Sequence, residues 1–126
     1  MPDSARLDIL AGLVSPTLLE VMAELADQTD YAVTVLATGH PHNVFETDRQ
    51  SHHTVGRAVD IYRIGTELVI DGRHDEGSAT FAATQWMFDH PDVVQVGSPW
   101  DIDGSGSSRS FTNQVHQDHI HLAVRN

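Results

Sequence analysis

With 126 residues the chain has the length of one domain, residues 1–126, and can bury roughly two-thirds of its unfolded surface. Seven arginines, no lysine and 18 acidic residues give a formal net charge of −11, which argues against a protein that binds nucleic-acid phosphates or anionic membranes. The absence of cysteine excludes disulfides, thiolate zinc sites and a cysteine nucleophile, and the absence of lysine excludes Schiff-base chemistry and a phosphate-loop lysine.

The first residues, MPDSARLDILAGLV, have charges breaking their apolar run, so they read as neither a secretory leader nor a membrane span. Ser15 and Pro16 read as an N-cap and first helical position, and Leu18, Met22, Leu25 and Ala26 follow at helical spacing, predicting a helix over 16–29. YAVTVLAT, 31–38, alternates and is rich in β-branched residues; it predicts a strand entering the turn GHPHN. A second strand spans 57–64, and 66–70 extends it or pairs with it before the polar turn DGRHDEG. Ala79, Ala82, Ala83, Trp86 and Met87 predict a helix over 78–90 that stops at Pro91. Residues 93–96 read as a short strand, 97–113 as loop, and HIHLAV, 119–124, as a closing strand. Two helices and several strands without regular βαβ alternation predict an α+β domain with a mainly antiparallel central sheet.

Within the loop, GSGSS at 104–108 is no nucleotide motif. DIDGSG opens like a calcium loop, but Thr112 stands where the twelfth-position glutamate belongs, so an EF-hand is rejected. Trp100 and Phe111 flank this loop, as cleft walls or as packing anchors.

Seven of the nine histidines fall in two windows: His40, His42, His52 and His53 ahead of Asp60, and His116, His119 and His121 near the end. Asp60 stands between Val59 and Ile61 in a strand, where a buried carboxylate is costly unless paired or bound to metal. In the closing strand, His119 and His121 share one face while Ile120, Leu122 and Val124 share the other. Two imidazoles and a carboxylate with one open position are a ligand set suited to catalytic zinc. An ion pair of Asp60 with Arg57 or Arg49 is the plainer alternative.

Ser51-x-His53-x-x-Gly56-x-Ala58-x-Asp60 followed by His119-x-His121 resembles the zinc D-alanyl-D-alanine carboxypeptidase and murein endopeptidase superfamily, whose fold the Hedgehog signalling domain shares. The resemblance spans about residues 31 to 124. It implies one Zn2+ ion on one sheet face, held by His53, Asp60 and His121, and gives both His119 and His116 to the reaction; which of the two is the general base stays open, with His119 the first choice. With that choice His116 takes a supporting part: orienting the water, steadying the oxyanion or protonating the leaving amine. His52 then points elsewhere, and His40 and His42 stay outside the site. Asp118 either orients an imidazole or is a solvated acid at the strand start, the second being the first choice.

The carboxypeptidase-like arginine that clamps a substrate carboxylate is missing from the turn TGHPHN. Arg49, Gln50 and Ser51 are the candidates for substrate contact, and the His116-x-x-His119-x-His121 spacing leans toward the endopeptidase branch. The implied substrate is a peptidoglycan stem peptide or another D-amino-acid peptide, which places the action at the cell wall, outside the cytoplasm. A zinc-containing binding module of the same fold without turnover is the alternative. The presence of both His116 and His119 favours the enzyme, since zinc lowers the pKa of bound water to about 7 and a base must still take its proton.

Overall fold

The computed structural model describes residues 1–36, 56–104 and 109–125. Among them are four α-helices, α1 (Asp3–Leu10), α2 (Pro16–Gln28), α3 (Val69–Gly72) and α4 (Ala79–Asp89). The six strands are β1 (Tyr31–Val35), β2 (Ala58–Ile64), β3 (Glu67–Leu68), β4 (Val93–Gly97), β5 (Ser110–Phe111) and β6 (Ile120–Val124). The fold is α+β. The sheet runs β1-β2-β6-β4-β5, with β3 paired to the end of β2, and every pairing is antiparallel except β4 with β5. The last strand of the chain therefore lies in the middle of the sheet, beside the strand that carries Asp60. No helix among the described residues is long and apolar enough to cross a membrane.

Both expected long helices form, and serines start them. Ser15 Oγ accepts from the Leu18 N–H at 3.1 Å, with Pro16 at the first position, where no N–H is needed. Ser78 Oγ accepts from the Phe81 N–H at 3.1 Å. The buried faces differ from expectation. In α2 Val21 is buried and Ala26 exposed; in α4 the buried face is Thr80, Ala83, Thr84 and Met87. Two threonines can be buried there because both hydroxyls are satisfied: Thr84 Oγ1 donates to the Thr80 carbonyl at 2.8 Å, and Thr80 Oγ1 donates to Glu67 Oε1 at 2.6 Å.

Two further helices form where none was expected. In α1 the buried side chains are Ala5 and Asp8, while Leu7 and Leu10 are exposed, so no apolar stripe marks the helix. Residues 67–68 pair with β2 as expected, but the chain then turns into the single turn of α3. Strand β5 lies inside the expected loop; at two residues it is too short to alternate, and pairing with β4 defines it.

Strand parity divides the sheet into two faces. Val59 and Ile61 of β2 and Ile120, Leu122 and Val124 of β6 join Leu18, Val21 and Leu25 of α2 and Met87 of α4 in the core. Each such side chain contributes roughly 1.5–3 kcal/mol of transfer free energy when fully buried. The opposite parity of the same two strands presents Ala58, Asp60 and Tyr62 from β2, and His121 and Ala123 from β6, with His119 just before it.

Candidate metal and catalytic site

The glycine of the first motif is a structural requirement. Gly56 has φ +73°, and a Cβ there would stand 1.9 Å from the Leu13 carbonyl oxygen; its own carbonyl accepts from the Ser15 N–H at 2.8 Å. This contact ties the α1–α2 connection to the entry of β2. Ala58 is fully buried and pairs with Ala123, which sets Asp60 opposite His121 across the antiparallel ladder.

Asp60 and His121 are both buried, at 8% exposure each, and Asp60 Oδ1 lies 3.3 Å from His121 Nδ1. His119 Nε2 lies 3.9 Å from the other carboxylate oxygen. Asp118 is a solvated acid just before β6, as expected, and its Oδ1 also lies 2.8 Å from His119 Nδ1, close enough to orient the imidazole.

His116 ends a 3-10 turn, Gln114–His116, capped by Asn113. Its ring lies tilted at 4.8 Å from His119 and stands 6.0 Å from His121, and Phe111 meets it edge to face at 4.8 Å. Burial, then the neighbouring His119 and His121, push the His116 pKa down from 6.5 to about 4 against the opposing pull of Asp60 and Asp118. His116 therefore stays neutral near neutrality.

A groove of about 350 Å³ runs along Thr34, Asp60, Tyr62, Val115, Asp118 and His119. A larger depression of about 440 Å³, at the end of α2 between Met1, Tyr31 and Arg63, touches none of the site residues. Phe111 stands at the site, against His116 and His121, whereas Trp100 packs edge to face on Phe81 at 5.1 Å as an anchor.

The donor set fits a metal in chemistry. Ligand atoms of a tetrahedral zinc with bonds of ~2.0–2.1 Å are about 3.3 Å apart, the separation of Asp60 Oδ1 from His121 Nδ1 and long for a hydrogen bond. Among the described residues no three ligating side chains converge closely enough to hold an ion. His53, Arg49, Gln50 and Ser51, like His40, His42 and His52, lie outside the described residues.

Sequence reading missed Asn113 and Gly97. Asn113 had a local signal, an N-cap residue three positions before His116. Gly97 had none, because its contacts with Phe111 and His116 depend on strand register. Comparison with protein-family models, with curated proteins and with solved structures finds no match to this chain.

Proposed function

We propose that the protein is a zinc-dependent hydrolase of peptide bonds, acting on peptidoglycan stem peptides or other D-amino-acid peptides. The carrying observation is Asp60 facing His121 at 3.3 Å on one sheet face, with His119 and His116 packed beside the pair. The substrate class comes from the motif resemblance alone.

In this reading His53, Asp60 and His121 hold one Zn2+ ion. Zinc would supply a Lewis acid and lower the pKa of a coordinated water to about 7. His119 is the general base: its Nδ1 is occupied by Asp118, so Nε2, the nitrogen turned to Asp60, accepts a proton from the attacking water. The same nitrogen then returns that proton to the amine released as the amide bond breaks, leaving a carboxylate and a free amine. An extended peptide would reach His119 along the groove lined by Thr34, Tyr62 and Val115.

The test is mass spectrometry of purified muropeptides incubated with zinc-loaded protein. New fragments whose masses sum to the substrate plus one water, lost with chelator and regained with zinc, are expected. A zinc-loaded protein that cleaves no muropeptide or D-amino-acid peptide would sink the reading in favour of a binding module.

A further inference from the structure

One side-chain oxygen settles the protonation geometry of His116. Asn113 Oδ1 accepts from the backbone N–H of Val115 at 2.9 Å and of His116 at 3.2 Å, and the same atom lies 2.8 Å from His116 Nδ1. Backbone amides only donate, so the amide atom facing them is the oxygen and not the NH2. That oxygen can only accept, so Nδ1 carries the imidazole proton and donates to it. In a neutral imidazole the other nitrogen, Nε2, is then bare.

We infer that Asn113 is a positioning residue that locks His116 as the Nδ1–H tautomer, so that His116 serves the reaction through Nε2 as an acceptor. The tautomer rests on hydrogen-bond geometry alone, whereas its catalytic meaning rests on the hydrolase reading. Asp118 imposes the same tautomer on His119, 4.8 Å away ring to ring. Both imidazoles thus leave Nε2 as the unprotonated nitrogen, in His119 turned toward Asp60 Oδ2 at 3.9 Å. Of the three parts open to His116, steadying an oxyanion and protonating the leaving amine both require a donor, which the bare Nε2 of the neutral ring is not. Orienting the water through one of its hydrogens requires an acceptor and fits.

The readout is the tautomer itself, from two-bond 15N–1H correlations of the full chain labelled at histidine nitrogen. The chain is metal-free and above neutral pH, and His116 is assigned from the signal lost in His116→Gln. The wild type is expected to carry the proton on Nδ1. Asn113→Leu, at an exposed position, should release His116 toward Nε2–H, and Asn113→Asp, which keeps an accepting oxygen and the cap, should retain Nδ1–H.

With a cleavable peptide, Asn113→Leu should lower kcat by about 10–100-fold with KM unchanged, the size typical for losing a partner that orients a site histidine. A wild-type His116 protonated on Nε2 overturns the lock, whether or not any peptide is cleaved. A changed tautomer in Asn113→Leu with unchanged kcat overturns the positioning role. The lock observed in a protein that cleaves nothing supports the tautomer assignment and counts against the hydrolase.

Discussion

Gly97 and Phe111 face each other across the parallel β4–β5 pair, and a Cβ on Gly97 would stand 2.5 Å from Phe111 Cζ. The same Cβ would stand 2.9 Å from His116 Cδ2, and Gly97 also pairs with His121 on its other side. The missing side chain is what lets the Phe111 and His116 rings pack edge to face over this strand next to His121. Gly97→Ala is therefore expected to push both rings outward, costing about 1–3 kcal/mol of stability by overpacking and lowering turnover more than metal affinity. Chemical denaturation and zinc titration of the variant check this; unchanged stability and unchanged activity together would mean that the two rings yield freely.

Gly56 carries a different constraint. Its positive φ alone costs a residue with a side chain about 1–3 kcal/mol, and the approach of a Cβ to the Leu13 carbonyl would force the α1–α2 connection away from β2. Gly56→Ala should lose more stability than Gly97→Ala and should break the Ser15 N–H to Gly56 bond. Hydrogen exchange at Ser15 reports that bond directly. Protection equal to wild type would place the strain elsewhere.

These two glycines mark how far local reasoning reaches. Ser15, Pro16 and Ser78 announce their helices because capping needs only the neighbouring backbone, and the parity of Asp60, His119 and His121 follows from strand periodicity. That Asp60 pairs with His121 is a matter of register: β6 inserts between β2 and β4, a long-range choice made by the whole core. Helix α1 escaped because Ala5 and Asp8 make no apolar stripe, and β5 because two residues make no pattern. The Asp118–His119 contact is illegible in the sequence for the same reason, since only the fold turns that carboxylate onto the neighbouring imidazole.

Asp60→Asn tests the metal assignment with the least change of shape. Zinc bound only by the folded chain stabilises it by linkage, about 2.7 kcal/mol at 100 times the Kd, so the wild type should melt higher as zinc is added. The variant should gain almost nothing. Its zinc affinity should fall by more than the ~10–100-fold expected for an outer-shell partner, because a ligand charge is lost. Calorimetric titration and thermal melts check both, and equal affinity in the variant would remove Asp60 from the ligand set.

His116 is expected to make the metal-free chain acid-sensitive. Its folded pKa lies at about 4, below the ordinary 6.5, so the unfolded chain binds the proton first as pH falls. The stability tied to its neutral form is whole above 6.5, drains away as pH drops toward about 4, and falls no further below that. Denaturation midpoints measured in chelator across this window should decline less in His116→Gln than in the wild type. Identical slopes would show that His116 is protonated as easily folded as unfolded.

The sharpest separation is between the two histidines of the last strand face. His121 Nδ1 faces Asp60 Oδ1 at 3.3 Å and belongs to the proposed ion, whereas His119 is held by Asp118 and offers Nε2 to the water. His119→Ala should keep zinc and lose about 10²–10⁴-fold in kcat, the usual share of a positioned general base, leaving residual zinc-assisted hydrolysis. His121→Ala should lose the zinc and, with it, that residue of activity. Asp118→Asn should fall between, since the amide can still accept from Nδ1–H but no longer stabilises a protonated His119. Metal content by mass spectrometry and turnover on one muropeptide compare all three. Full activity in zinc-bound His119→Ala would move the base to His116, whose Nε2 is likewise the unprotonated nitrogen.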